Sequence, residues 1–395
     1  MRSLLLAAAL ALAGLPSVAL AADKPPAPAS VLFWSQAQKE VGFPKMEAQF
    51  PVSTAARGER VHALPAGAPL KVAQVGGQPF DLSAFMASEK TAGILVLQDG
   101  RVRLESYGLG YGPNGRWTSF SVAKSVTSTL VGAAVKDGDI KSLDDKVTRY
   151  IPGLRGSAYD QVSVRQLLTM TSGVKWNEDY TDPNSDVALL FSTPADPGLD
   201  STVSYMRKLP REAAPGTKWV YKTGETNLIG VLVTSATGKS LSAYLSEKIW
   251  KPYGMEQDAI WMIDERGQEA GGCCLSMTLR DYGRVGEFLR TGGIGSAGAV
   301  LPRDWIAEAT RQQAPTDDRF GYGYQWWTQP GGVFNGLGIF GQRLHVDPAR
   351  KLVVVVSSAW PEATNPARSA RQDALIAAIA AQLDAERPGV APAAR

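Results

Sequence analysis

A serine and a lysine three residues apart are the first candidates for covalent chemistry in this chain. Ser121 and Lys124 open a stretch whose apolar spacing predicts a helix. Residues three apart share one helical face, so the Lys124 amine can reach the Ser121 hydroxyl, and burial would lower the lysine pKa enough to accept its proton. Alone, the pair also fits a helix cap followed by a solvated lysine. With only two histidines, His62 and His345, a serine-histidine-aspartate triad is disfavoured.

The serine-lysine pair heads a longer series of motifs. Tyr221 and Thr223 follow, and then the glycine-rich stretch NGLGIFGQ. Together with KDGDIKSLDDKVTRYIPGL, LLTMTSGV and GCCLSMTLRDYGRVG, this order resembles the serine β-lactamase and penicillin-binding-protein superfamily over residues 93–360. The resemblance is greatest to the class C-like branch, which includes esterases and 6-aminohexanoate-dimer hydrolases. It implies that Ser121 is the nucleophile and that Lys124 and Tyr221 move its proton.

A literal Lys-Thr-Gly sequence stands at residues 222–224, directly after Tyr221. In the family this triplet lies on an alternating strand beside the nucleophile. Here it follows a Pro215-Gly216 turn and precedes a helical pattern. We therefore interpret the triplet as a coincidence and Tyr221 as the functional residue, with Thr223 third in the tyrosine element. The alternative is a buried tyrosine with a satisfied hydroxyl.

The stretch NGLGIFGQ is interpreted as the counterpart of the family's strand motif. The resemblance implies that the backbone N–H groups of Ile339 and Ser121 form an oxyanion hole and that Gly338 borders the substrate. Preset donors of this kind stabilise the developing oxyanion. Glycines here would also let a strand pack closely against its neighbours, which is compatible with that role.

Two departures from the family pattern bear on the substrate. Gly336 stands where the strand motif has lysine, and Thr223 stands where the tyrosine element has an asparagine that contacts the acylamino arm of a β-lactam. Efficient penicillin hydrolysis is therefore not expected. Arg343, on the same predicted strand, is a candidate replacement cation whose side-chain direction the sequence leaves open.

Two aromatic residues are further candidates for substrate binding. The loop WNEDYTDPNSD resembles the one that brings a tyrosine to the scissile amide nitrogen in oligoamide hydrolases, and Tyr180 is the matching residue. A surface loop with an incidental tyrosine remains the alternative. Consecutive tryptophans in a strand divide between core and surface, so at most one of the pair at 326–327 is expected to contact substrate, with Trp327 the candidate.

The pattern of elements predicts an α+β fold. β-rich runs flank Asp99-Gly100 and again Asp347-Pro348, which indicates two hairpins near opposite ends of the chain. Helical patterns dominate between them. We expect an antiparallel β-sheet flanked by helices, with an inserted mainly α-helical domain, as in β-lactamase-like proteins. The expected divisions are a signal peptide (1–21), an N-terminal part of the α/β domain (22–118), a helical domain (119–300), a C-terminal part of the α/β domain (301–386) and a flexible tail (387–395).

Composition limits the partners and cofactors. A formal charge of +3 over 395 residues, without a basic block, does not indicate nucleic acid or an anionic membrane surface. The only cysteines, Cys273 and Cys274, are adjacent. We expect two small buried side chains there rather than a strained eight-membered disulfide ring. No metal-ligand spacing is present, so a small-molecule substrate and no cofactor are expected.

The first residues match a secretory signal. Arg2 precedes an apolar run that ends in small residues, with cleavage expected after Ala21 and the mature protein in the periplasm or outside the cell. An uncleaved anchor is the alternative. The sequence thus predicts an exported serine hydrolase that cleaves amide or ester bonds through an acyl-enzyme on Ser121. A β-lactamase or D-alanyl-D-alanine carboxypeptidase, and a non-catalytic sensor on the same fold, remain as alternatives.

Overall fold

The computed structural model describes residues 28–316 and 320–386, so the predicted signal peptide (1–21) and tail (387–395) lie outside the described residues. The helices are α1 (Gln36–Gly42), α2 (Leu82–Ser88), α3 (Val122–Asp137), α4 (Val164–Leu168), α5 (Asp186–Leu189), α6 (Ser201–Met206), α7 (Thr223–Thr237), α8 (Leu241–Leu245), α9 (Leu279–Arg290), α10 (Trp305–Ala309) and α11 (Pro366–Ala385). The strands are β1 (Val52–Ala55), β2 (Gln74–Val75), β3 (Gln78–Pro79), β4 (Thr91–Gln98), β5 (Arg101–Tyr107), β6 (Trp117–Thr118), β7 (Ala259–Met262), β8 (Leu275–Met277), β9 (Ile294–Gly295), β10 (Gly298–Ala299), β11 (Gly321–Tyr322), β12 (Trp327–Thr328), β13 (Phe334–Gly338), β14 (Gln342–Asp347) and β15 (Leu352–Ser358).

Seven antiparallel strands form the main sheet, in the order β11-β12-β13-β14-β15-β4-β5. The β4–β5 hairpin turns at Asp99 and Gly100, whose φ angles of 50° and 72° are both positive, as a type I′ turn requires. β14 and β15 form the second predicted hairpin. β15 pairs with β4, so strands from opposite ends of the chain meet in one sheet. The predicted α+β fold with an antiparallel sheet is confirmed.

Helices cover both faces of this sheet because its central strands alternate between two apolar faces. One face packs on α11, and its residues are Ile94, Val96, Val354 and Val356. The other face packs on α9, and its residues are Leu95, Leu97, Val353 and Val355. The approach is close at Gly283 and Gly286, where Cβ atoms would lie 2.6 Å from Leu95 and 2.5 Å from Val353.

A second sheet connects the beginning of the chain to the middle block. Its four strands run in the order β1-β7-β8-β6, with β1 antiparallel to β7. Sequence patterns did not predict this pairing, because the strands are short and far apart along the chain. The proposed division at residues 119 and 300 stays a prediction. α9 lies inside the range 119–300, yet it packs on the main sheet.

Two long helices, α3 and α7, pack against each other in the interior. α3 is buried continuously from Val122 to Ala134, so no face of its first turns meets water.

In the described ranges no single helix is long and apolar enough to cross a membrane. α7 and the stretch Leu241–Gly254 satisfy the length and composition criteria only as a pair bent by 73°.

Candidate active site

Ser121 lies at the amino end of the buried helix α3, where it is the N-cap residue. The preceding residue, Phe120, has a φ of 43°, a left-handed conformation that costs a side-chain-bearing residue about 1–3 kcal/mol unless its surroundings hold it. The turn at Phe120 connects the segment after strand β6 to helix α3, and it places Ser121 at the start of the helix. The hydroxyl therefore lies at the positive end of α3, and the first N–H groups of the helix donate to the carbonyl oxygens of Ser119, Phe120 and Ser121.

Lys124 lies directly beside the Ser121 hydroxyl. Its Nζ atom is 2.8 Å from Ser121 Oγ, 2.9 Å from Thr223 Oγ1 and 2.8 Å from the Gly272 carbonyl oxygen. The side chain is 1% exposed, and burial lowers its pKa to about 8, while the carboxylate of Glu178 opposes this shift. A neutral amine would donate two hydrogens to Thr223 and Gly272 and direct its lone pair at Ser121.

Tyr221 closes the same site from the segment before α7. Its ring centroid lies 5.1 Å from Lys124 Nζ. Burial and the negative charge of Glu178 raise the pKa of the Tyr221 phenol, and a hydrogen bond with Ser121 opposes the rise. The structure therefore brings the predicted hydroxyl, amine and phenol together. The phenol stays protonated near neutral pH, so the Lys124 amine is the better proton acceptor.

The Lys-Thr-Gly sequence does not form a strand. Lys222 caps α7 and Thr223 is its first residue, as the helical pattern after it predicted. Lys222 is fully buried and lies 3.7 Å from Glu225, one turn along the helix. Thr223 accepts a hydrogen bond from Lys124 and donates one to Glu178, so its hydroxyl connects the lysine to a carboxylate.

That carboxylate, Glu178, was missed by the sequence analysis. It accepts hydrogen bonds from the Thr223 amide (2.9 Å) and the Tyr180 hydroxyl (2.8 Å), and also from the Thr223 hydroxyl and Trp176 Nε1. The sequence did contain an indication of this carboxylate, because Glu178 lies two residues before Tyr180, a predicted site residue in the same loop. Tyr180 borders the space next to Ser121, and its oxygen can still accept a hydrogen bond from a substrate N–H group.

The end of strand β13 forms the opposite wall of the site. Ser121 and Ile339 both line a small cavity of about 40 Å³. Gly338 packs so closely that a Cβ atom would lie 2.6 Å from the Ser119 carbonyl oxygen and 3.1 Å from the Ser121 nitrogen. Only glycine permits this approach, which places the backbone next to Ile339 against the start of α3.

The structure contradicts the expected pair of unbridged cysteines, because Cys273 and Cys274 form a disulfide. Cys274 has a φ of 64°, which turns the chain enough for the two adjacent side chains to meet. The turn is held from outside, since the Gly272 amide donates to Asn227 (2.7 Å) and the Cys273 carbonyl accepts from Trp261 (3.0 Å). The disulfide lines the small cavity beside Ser121, directly after the carbonyl that binds Lys124.

A wider cleft of about 810 Å³ also borders Ser121, and it shares Tyr180 and Ile339 with the small cavity. Its wall is largely aromatic, because Trp327 stacks on Tyr221 at 5.5 Å and meets Trp219 edge-on at 5.9 Å. Trp326, in contrast, is 1% exposed and packs on Phe334 in the core. Such a surface suits apolar or planar parts of a substrate.

Among the residues that the structure describes, the cleft offers no uncompensated cation at the position of the family's lysine. A Cβ atom at Gly336 would lie 3.1 Å from Val122 Cγ1, against α3. Arg343 does line the cleft, but its guanidinium binds the Asp373 carboxylate at 2.5 Å and Asn335 at 3.1 Å.

Within residues 28–316 and 320–386, no group of three or more histidine, cysteine, aspartate or glutamate side chains could hold a metal ion.

The geometry agrees with comparisons to known proteins. A family model described as Beta-lactamase matches residues 82–379. The chain is 30% identical to a 6-aminohexanoate-dimer hydrolase from Paenarthrobacter ureafaciens over 349 residues, which cover 84% of this chain and 88% of the relative. It is 26% identical to a β-lactamase from Pseudomonas fluorescens over 60% of each chain.

Solved structures show the same fold. A Bacillus anthracis protein, provisionally described as a 6-aminohexanoate-dimer hydrolase, has a TM-score of 0.78 at 23% identity and covers 87% of this chain and 94% of its own. A family VIII carboxylesterase has a TM-score of 0.60 at 18% identity, over 76% of this chain and 95% of its own. Because the family model spans most of the chain and the first relative covers it almost throughout, this protein belongs to the beta-lactamase family of serine hydrolases.

Proposed function

We propose that Ser121 attacks the carbonyl of a linear amide or an ester and forms an acyl-enzyme that water then cleaves. The observation that carries this proposal is the 2.8 Å contact between Lys124 Nζ and Ser121 Oγ, in a site where burial lowers the lysine pKa to about 8. An amine of this kind can take the hydroxyl proton at neutral pH.

The later steps use the remaining groups of the site. The tetrahedral oxyanion would lie between the backbone N–H groups of Ser121 and Ile339, two residues that line one small cavity. Tyr221, kept neutral by burial, would pass a proton to the leaving amine or alcohol and be reprotonated from Lys124. Tyr180 would accept a hydrogen bond from the departing amide nitrogen. Thr223 would fix Lys124 and border the substrate.

An open-chain substrate is favoured over a β-lactam. The cleft has an aromatic wall that includes Trp219 and Trp327. The carboxylate of a β-lactam would meet Gly336 where the family has lysine, and an arginine, Arg343, that Asp373 already neutralises. The 30% identical relative is named for hydrolysis of the 6-aminohexanoate dimer, a linear amide, which makes short oligoamides the first substrates to test.

A substrate panel tests the proposal. Purified protein would be assayed with short ω-amino-acid oligoamides, p-nitrophenyl esters and nitrocefin, with Ser121→Ala as the blank. We expect oligoamide or ester turnover that Ser121→Ala abolishes, and slow or absent nitrocefin turnover. Nitrocefin as the best substrate would favour a β-lactamase or carboxypeptidase, and equal rates in both proteins would favour a non-catalytic sensor.

We also propose that the protein is exported, on the basis of the apolar run that precedes Ala21. The mature chain would then act on substrates in the periplasm or outside the cell. Fractionation and amino-terminal sequencing of the protein expressed at full length test this proposal. A mature amino terminus at Ala22 is expected, and an intact Met1 terminus in the cytosolic fraction would contradict it.

A further inference from the structure

The two proposed oxyanion donors are each adjacent to a phenylalanine in a left-handed backbone conformation. Phe120 precedes Ser121 and has a φ of 43°, and Phe340 follows Ile339 and has a φ of 61°. Side-chain-bearing residues persist in this region only where the surrounding structure holds them. A small rotation at either residue would change the direction or spacing of the neighbouring N–H group. Whatever fixes these two phenylalanines therefore also fixes the oxyanion hole.

Phe43 is the residue that packs against both. Its ring centroid lies 4.9 Å from that of Phe120 and 5.5 Å from that of Phe340, and the latter two are 5.1 Å apart. The three rings form a closed triangle in which every pair touches. Phe43 is completely buried, Trp34 and Trp117 also pack on its ring, and a short helical segment carries it. That segment, residues 36–48, consists of α1 and the 3-10 turn after it, and we call it the N-terminal brace.

Lys39, one helical turn earlier, connects the brace to the Phe340 ring and to the segment after β15. Its Nζ lies 4.5 Å from the Phe340 ring centroid, a cation–π contact. The same amine donates to the carbonyl oxygens of Trp360 (3.5 Å) and Pro361. The same segment, residues 360–363, holds Phe340 in turn, because the Phe340 amide donates to the Ala363 carbonyl (2.8 Å) and the Phe340 carbonyl accepts from the Trp360 amide (3.2 Å).

The brace lies before residue 82, where the match to the beta-lactamase family begins. We propose that the N-terminal brace is a positioning element of the active site, in which Phe43 holds the Ser121 and Ile339 N–H groups at the spacing that a tetrahedral oxyanion requires. This inference rests on the proposed acyl-enzyme mechanism. Phe43 and Lys39 do not touch substrate, so they act only through Phe120 and Phe340.

Single-turnover kinetics can separate positioning from general stability. Phe43→Ala, Phe43→Leu and Lys39→Met would be compared with Phe50→Ala as the matched control. Phe50 is also a buried aromatic in the same region, at 4% exposure, and its ring contacts Trp34 rather than Phe120 or Phe340. For each protein, the acylation rate constant and substrate dissociation constant would be measured with a p-nitrophenyl ester, and the melting temperature would be recorded.

The acylation rate constant of Phe43→Ala should fall by about 10- to 100-fold. This loss is smaller than that from removing an oxyanion donor outright, because the donors are displaced rather than absent. Its substrate dissociation constant should stay within about twofold of wild type, because ground-state binding does not use these donors. Phe43→Leu should recover part of the rate, and Lys39→Met should lose less than Phe43→Ala. Phe50→Ala should lower the melting temperature but not the rate constant.

An alkyl boronic acid supplies a second readout, since its tetrahedral adduct on Ser121 places an oxygen in the oxyanion hole. The inhibition constant should rise in proportion to the loss of acylation rate in the Phe43 variants. Equal acylation rates in Phe43→Leu, Lys39→Met and the Phe50→Ala control would overturn the inference, whether or not Phe43→Ala folds. Wild-type protein that forms no acyl-enzyme would instead overturn the proposed function itself.

Discussion

At the scale of single residues, the chemistry depends on two ionisable groups whose pKa values move in opposite directions. Burial lowers the pKa of Lys124 to about 8 and raises that of Tyr221, because in each case the charged form is the one that burial disfavours. Near pH 7 a small fraction of the lysine is neutral, while the tyrosine remains a phenol. The lysine is therefore the base and the tyrosine a proton donor.

The pH dependence of kcat/KM should report this lysine. We expect kcat/KM for an ester to rise with pH as Lys124 loses its proton, with a midpoint near pH 8, and to level off above it. Lys124→Met should lower kcat/KM by about 10²- to 10⁴-fold, the usual range for general-base catalysis. A midpoint near pH 10, where a solvated lysine or tyrosine titrates, would contradict the assignment.

Glu178 adjusts that midpoint. Its negative charge raises the pKa of Lys124 against the effect of burial, so its removal leaves burial less opposed. In Glu178→Gln the rise of kcat/KM should move to lower pH, while the side-chain oxygen of the glutamine can still accept the hydrogen bond from the Thr223 amide. Asp179→Asn, at the adjacent exposed carboxylate, is the matched control. A midpoint that moves to higher pH, or that moves equally in the control, would be inconsistent with this role.

At the scale of elements, the site depends on close contact between strand β13 and the start of helix α3. Gly338→Ala would place a methyl group 2.6 Å from the Ser119 carbonyl oxygen and 3.1 Å from the Ser121 nitrogen. The strand must then move away from the helix, which would separate the oxyanion donors. We expect kcat to fall by about 10²-fold with folding retained.

Gly112→Ala is the control for this substitution, because nothing lies within 4 Å of a Cβ atom at Gly112. Its kcat should match that of wild type. Steady-state kinetics and circular dichroism on both variants are sufficient. A Gly338→Ala enzyme with wild-type kcat would show that catalysis does not require the close contact between β13 and the start of α3.

Short-range sequence patterns predicted the helices and hairpins whose formation depends on neighbouring residues. The β4–β5 hairpin followed from Asp99-Gly100, and α3 followed from apolar spacing after Ser121. The strand β1 pairs with β7 from more than half the chain away, and no short-range signal indicates that. The same limit applies to Glu178, whose role appears only once Thr223 is beside it. The Cys273–Cys274 disulfide depends on a turn that hydrogen bonds from distant residues hold.

At the scale of the whole molecule, the main sheet unites strands from both ends of the chain, and a buried histidine lies within it. His345, on β14, is 5% exposed, and the positive charges of Arg343 and Arg350 act on it. Burial is the larger cause and these two cations the smaller one, and together they lower the histidine pKa to about 3. The folded protein therefore keeps this side chain neutral where the unfolded chain binds a proton.

This difference makes stability depend on pH. The unfolded histidine binds its proton near pH 6.5, so stability is lost as the pH falls from there toward 3. Between pH 7 and pH 5, the free energy of unfolding of wild type should fall by about 2 kcal/mol more than that of His345→Gln. Urea titrations at the two pH values measure the difference. Equal losses in both proteins would mean that His345 is protonated in the folded state.

Covalent labelling tests the central claim, that Ser121 is a nucleophile activated by Lys124. Protein incubated with a fluorophosphonate at pH 8.5 would be digested and its modified peptide identified by mass spectrometry. The structure predicts one adduct on Ser121, absent from Ser121→Ala and formed far more slowly by Lys124→Met. An adduct on another residue that persists in Ser121→Ala, or a labelling rate in Lys124→Met equal to that of wild type, would contradict it.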